Sequence, residues 1–236
     1  MRINTISADI KRMIREPILM MLMFVPVFAL VALKLIILFG VPILKKYTGF
    51  DLSPWYGYFM STALLIAPSM LGTVAAFMMI DDRDENMIDL MSVTPNGYSG
   101  YIANRLLMPF FLSVVYSFGG YLLLNIYTIS FLKLLYLAIL TGIESIIVGL
   151  FLFCLTDNKV KGLTYAKGMS GFMMTALADL LNIKWISALS ALIPFYWISS
   201  LVVKQETVLN LILPIIIHLA WLALALLMMN RNRRIA

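Results

Sequence analysis

Charge, histidine and cysteine are all scarce in this sequence, and each scarcity removes a class of protein. Charged residues make up 13% of the 236 positions and hydrophobic ones 62%, with a mean hydropathy of +0.94. A soluble domain carries roughly a quarter charged residues and about half apolar ones, so water cannot be the main solvent of this chain. The one cysteine, Cys154, sits in the apolar run 150–155 and has no partner, which excludes an intramolecular disulfide and leaves a small buried hydrophobe. No Gly-x-x-x-x-Gly-Lys-Ser/Thr phosphate loop occurs, so the chain does not handle ATP in the usual way. The first apolar run is too long for a signal peptide and has no small-residue cleavage site after it.

What is present is a series of long hydrophobic runs. A membrane-spanning helix takes about 20 mostly apolar residues. The runs at about 18–40, 55–80, 101–127, 132–155, 163–181 and 208–229 predict six crossings in one all-α transmembrane domain covering 1–236, with no room for a soluble catalytic domain. Residues 1–16 place Ile3, Ile6, Ile10, Met13 and Ile14 at helical spacing with Arg2, Lys11, Arg12 and Arg15 between them, an amphipathic helix lying in the lipid interface. Pro17 then turns the chain into the first crossing. The stretch 183–203 is apolar but interrupted by Pro194 and rich in aromatics, and predicts re-entrant outer helices packed on protein.

The net charge of +6 does not point to nucleic acid, because the basic residues are spread between the apolar runs instead of gathered on one face. They read as topology signals. With the N-terminus inside, 12 of the 18 basic residues fall on the inner side, including Arg83, Arg105, Lys159, Lys161, Lys167 and the Arg231 to Arg234 tail. That places both termini in the cytoplasm.

Chemistry concentrates in the loop 81–97. Asp81, Asp82, Asp84 and Glu85 crowd what reads as the first turns of a short helix, where the helix dipole favours acids, while Met87, Leu90 and Met91 share an apolar face. Pro95-Asn96-Gly97 ends it in a turn. The segment resembles the cytoplasmic loop of type-2 ABC export permeases, through Asp82-Arg83-Asp84, Ile88-Asp89-Leu90, Thr94-Pro95 and Arg105. Asn86 replaces the usual Gly of that pattern, and Asn tolerates unusual backbone angles better than most residues. Asn158-Lys159-Val160-Lys161-Gly162-Leu163 is similar to a second pattern of drug-export members, with Lys161 in place of an acid.

The resemblance implies a permease half in the cytoplasmic membrane of a prokaryote, pairing with a second permease subunit, identical or not, and with cytoplasmic ABC ATPase subunits that bind the ATP and Mg. It also implies that Asp82, Arg83, Asp84, Glu85, Met87, Asp89, Leu90, Met91 and Pro95 form or flank a coupling helix seated on the ATPase. The substrate implied is amphiphilic: a drug, a lipid or an antimicrobial peptide.

Three polar groups fall inside the crossings. Glu144 and His218 lie near mid-membrane and are candidates for the substrate pathway, with a direct pair between them geometrically allowed. Lys34 and Asp179 lie toward the outer ends of their crossings, open to pairing or, for Lys34, snorkelling. Two rival readings stand beside export by an ABC system. An ion-coupled secondary transporter calls for more intramembrane carboxylates and an internal repeat, which the sequence does not display. An intramembrane serine protease calls for a Ser-His dyad, for which Gly168-Met169-Ser170-Gly171 and His218 are the candidates.

Overall fold

A computed structural model of the chain describes residues 14–92, 97–205 and 207–233. All regular structure among them is helical. Helix α1, Pro17–Leu35, continues through a π-helical turn, Ile36–Gly40, into α2, Val41–Thr48. After a short 3₁₀ turn at Ser53–Trp55 come α3 (Tyr56–Asp84), α4 (Met87–Ser92), α5 (Gly97–Leu124) and α6 (Phe131–Leu155). Helix α7, Lys159–Gly171, runs into a 3₁₀ segment, Phe172–Leu181, followed by α8 (Lys184–Ser190), α9 (Pro194–Val203) and α10 (Val208–Arg233).

Five of these runs are long and apolar enough to cross a membrane: 17–48, 53–84, 97–124, 131–155 and 208–231, or six if the bent pair α8–α9 counts as one. The expected crossing at 163–181 is helical throughout but is not among the five: Lys167, Asp179 and several Gly, Ser and Thr residues interrupt its apolar run. The expected interfacial helix over residues 1–16 lies almost wholly outside the described residues.

Helix α3 is the axis of the bundle. In its apolar window 89% of residues are buried, against 17% for α1 and for α10, so α3 is wrapped by protein while the other two present most of their surface outward. Its sequence suits that place, with Ala63, Ala67, Gly72, Ala75 and Ala76 all buried. At Gly72 the backbone of α6 comes so close that a Cβ would lie 2.6 Å from the Ser145 carbonyl oxygen and 2.8 Å from Val148 Cβ. Helices α5 and α6 pack on α3 and on each other, α1 covers α3 and α5, and α10 rests chiefly on α6 and α9.

The interrupted segment forms a hairpin, α8 and α9 bent by 119°. Its broken turn exposes carbonyls that helix geometry cannot satisfy, and two indoles answer them: Trp197 Nε1 donates to Ala191 O and Trp221 Nε1 to Leu192 O, each at 2.8 Å. The flanks of the hairpin are tied together by the Lys204–Asp179 ion pair at 2.8 Å. Asp179 therefore does not pair with Lys34. Lys34 Nζ instead donates to Leu124 O at 2.6 Å, meeting the negative, unpaired carbonyl end of α5.

Candidate functional site

The acids expected at the first turn of the loop helix belong in fact to the end of the preceding one. Helix α3 continues to Asp84, so Asp81, Asp82 and Asp84 lie where the helix dipole disfavours them. Named cations offset that cost. Asp82, 1% exposed, accepts from Tyr101 Oη and from Arg105 Nε and Nη2 at 2.9 and 2.6 Å. Arg83 Nη2 donates to Thr156 O at 2.7 Å, and its guanidinium lies 5.3 Å from the centre of the Phe153 ring. Lys159 Nζ is 2.8 Å from Asp81 and 2.6 Å from Glu16. One ionic lattice thus joins the end of α3 to the starts of α1, α5 and α7 and to the end of α6. Burial acts to lower the Lys159 pKa, but its hydrogen bonds to Asp81 and Glu16 prevail and raise it. A raised folded pKa contributes stability that is fully present below the ordinary lysine value, so the lysine side of this clamp is charged around neutrality and is lost as pH climbs through the folded value.

Beyond the lattice the chain turns at Asn86, whose φ of 57° is left-handed, which explains why Asn serves where the resembled pattern has Gly. Helix α4 then hangs between α3 and α5. Ile88 packs into the core, Met87 is half-buried, and Leu90 and Met91 stand out at 62% and 37% exposed. Asp84 and Glu85 are exposed beside them. The Asp89 side chain and residues Thr94 and Pro95 lie outside what is described. Of the residues singled out in the loop, Asp82 and Arg83 face inward as anchors, whereas Leu90, Met91, Asp84 and Glu85 face out.

The second pattern has a local explanation too. Asn158 Oδ1 caps α7 by accepting from Lys161 N at 3.0 Å, and a Cβ on Gly162 would sit 2.7 Å from Phe77 of α3. Lys161, standing where an acid is usual, pairs outward with Asp157 at 2.6 Å. Sequence reasoning misses Tyr101, Glu16 and the clamping role of Lys159, because their partners are distant in the chain.

Within the bundle Glu144 and His218 are both 0% exposed. Neither Glu144 oxygen has a hydrogen-bond partner among the described residues. His218 Nδ1 lies 2.7 Å from Pro214 O, which can only accept, so the ring proton is on Nδ1 and Nε2 is a lone pair without a partner among the described residues. Helices α6 and α10 are neighbours, but no hydrogen bond joins the two side chains.

With this geometry in view, comparison with known proteins decides the family. The model of the family described as "Fluoroquinolones export permease protein Rv2686c-like" matches residues 9–229. The chain belongs to the Rv2686c-like permease family. Two similar proteins are the fluoroquinolones export permease proteins Rv2686c and MT2760 of Mycobacterium tuberculosis strains H37Rv and CDC 1551. Each is 25% identical over 204 residues, covering 81% of this chain and 80% of the relative. No solved structure matches it. The family agrees with the export-permease resemblance of the loop motifs, and the permease is a multi-pass membrane protein. The protease dyad is not assembled in this permease: Ser170 Oγ donates to Ala166 O at 2.9 Å, while the His218 ring bonds Pro214 O.

Proposed function

We propose that the chain is the membrane-embedded permease subunit of an ABC exporter, driven through α4 by a separate cytoplasmic ATPase that holds the ATP and Mg. The observation that carries this reading is the corner α3–α4–α5, where a six-residue helix presents Leu90 and Met91 outward while Asp82–Arg105 locks its flanking spans together and Lys159–Asp81 ties α3 to α7. Exposed apolar side chains on a rigid mount suit a protein groove better than water, and Asp84 and Glu85 suit basic residues at its rim, steering the encounter. ATP-driven closure of the ATPases moves α4, and the two membrane halves open alternately inward and outward.

In this reading residues 163–181 of α7 and its 3₁₀ extension form the fifth of six crossings, α8–α9 is re-entrant from the outer side, residues 1–16 form an interfacial elbow, and both termini are cytoplasmic in a prokaryotic cell membrane. Thr164, Lys167, Gly168 and Gly171 on the outward side of α7 suit lipid poorly and support a second permease subunit there, the same chain or a different one. The substrate is amphiphilic, and the names of the relatives favour a fluoroquinolone-like drug over a lipid or an antimicrobial peptide.

The test places single cysteines at Met87 and Leu90 in a Cys154→Ala background and seeks cross-links to the co-purified ATPase. Free labelling of both positions by a water-soluble thiol reagent in the intact complex sinks the coupling role. Reconstituted transport discriminates the ion-coupled alternative, which the buried Glu144 carboxyl favours: an ABC permease works on ATP without an ion gradient, and a secondary transporter does the reverse.

A further inference from the structure

We infer that Glu144 and His218 form a binding site for the protonated amine of an aromatic amphiphile, an inference that rests on the export reading above. The two residues belong to facing rows. On α6 the positions 136, 140, 144, 147 and 151 fall on one side of the helix, and that side meets α10 at both ends. Tyr136 Oη donates to Leu211 O at 2.6 Å, and the Phe151 and Trp221 rings lie 5.4 Å apart. Glu144 falls between these two contacts on α6, and His218 falls between them on α10.

Each of the two side chains brings acceptors without a donor: two carboxylate oxygens and the Nε2 lone pair, all sealed and all unpartnered among the described residues. Acceptors on facing rows cannot satisfy each other once the carboxyl is ionised, and an arriving cation is what favours the ionised form. A ligand that fits them supplies N–H donors and positive charge, which an ammonium does and an anion or a neutral ether does not.

The surroundings specify the rest of the ligand. Trp221 lies one helical turn from His218 and is flanked by Phe151 and, at 6.5 Å, by Phe172. These rings offer faces to a flat aromatic body attached to the amine. Access runs between α10 and α6, because α10 presents most of its surface outward, with 17% of its apolar window buried. Parting α10 from α6 opens the pair without disturbing α3.

The experiment uses the whole complex of permease and ATPase in lipid nanodiscs, with naphthylpiperazine, a secondary amine protonated at neutral pH, and its N-acetyl derivative, which keeps the ring system and is uncharged. A charge-assisted hydrogen bond to a desolvated carboxylate predicts that the wild type binds the amine about tenfold or more tighter than the amide. Glu144→Gln brings the two probes to within about threefold, and Glu144→Asp keeps the preference. A second measurement needs no variant: dicyclohexylcarbodiimide, which seeks carboxyls in apolar surroundings, labels Glu144, and the amine but not the amide protects it. Equal wild-type binding of both probes, an undiminished preference in Glu144→Gln, or labelling that the amine leaves untouched overturns the proposal. The export reading fails separately, when ATP drives no transport of the amine, the amide or any other amphiphile by the same complex.

Discussion

Asp82 and Glu144 are both carboxylates withdrawn from solvent, and the permease treats them in opposite ways. Around Asp82 the packing supplies partners: Tyr101 and Arg105 from α5 bond it directly, while Arg83 and Asp81 beside it are taken up by Thr156 and Lys159. Around Glu144 none of the described residues sends a partner. A carboxyl buried without a hydrogen bond or counter-charge is costly to ionise, and none of the described residues offsets that cost. A matched buried charge holds helices together; an unmatched carboxyl does not hold them in that way.

That contrast is broken most severely at Arg105. Removing one partner of a buried pair typically costs about 3 to 5 kcal/mol, because the survivor stays buried and uncompensated. Arg105→Met should therefore collapse the yield of folded permease or lower its thermal midpoint in detergent sharply, and Asp82→Asn in the same chain should recover much of the loss. An Arg105→Met protein that melts like the wild type shows that the lattice is ornamental.

A smaller effect is expected at α4, which projects from the lattice. Truncating a central apolar anchor commonly costs about 2 kcal/mol of binding. Met87→Ala with Leu90→Ala should weaken co-purification of the ATPase or uncouple ATP hydrolysis from transport, leaving the thermal midpoint of the isolated permease unchanged. Lys159→Met comes next, at about 1 kcal/mol, since Lys159 and its two acids are partly open to solvent and ion pairs of that kind are screened. Its loss should shrink in high salt, which a melt at two ionic strengths reads directly.

At Glu144 the sign reverses. Glu144→Gln removes a buried carboxyl that no described residue offsets, so the thermal midpoint should stay level or rise by the equivalent of about 1 kcal/mol, in contrast to the fall at Arg105. A clear destabilisation by Glu144→Gln erases the distinction between the two carboxylates.

Much of this arrangement is legible in the amino-acid sequence itself. Hydropathy locates the long runs, since a bilayer enforces continuous apolar helices, and Pro194 with its aromatics marks the broken hairpin. The end of α3 is not legible in the same way, because acids after an apolar run read locally as a loop or as the opening of a new helix. What lets α3 carry them to Asp84 is Arg105 and Lys159, far along the chain. A Lys34–Asp179 pairing fails for a related reason: equal depth says nothing of which helices are neighbours. Glu144 and His218 are visible as polar letters in apolar text, but that they stand on facing rows without partners is a fact of packing. Asn86 is the opposite case, where one residue's tolerance of a left-handed backbone explains a departure from the pattern.

The two indoles that cap the broken turn of the hairpin also bear on electrical tightness. A carbonyl left bare inside the bilayer recruits water, and a file of waters conducts protons down the membrane potential. With Ala191 O and Leu192 O each held by a tryptophan, these two carbonyls offer no foothold for such a file. The permease can thus keep an irregular backbone beside α10 without leaving these two carbonyls bare.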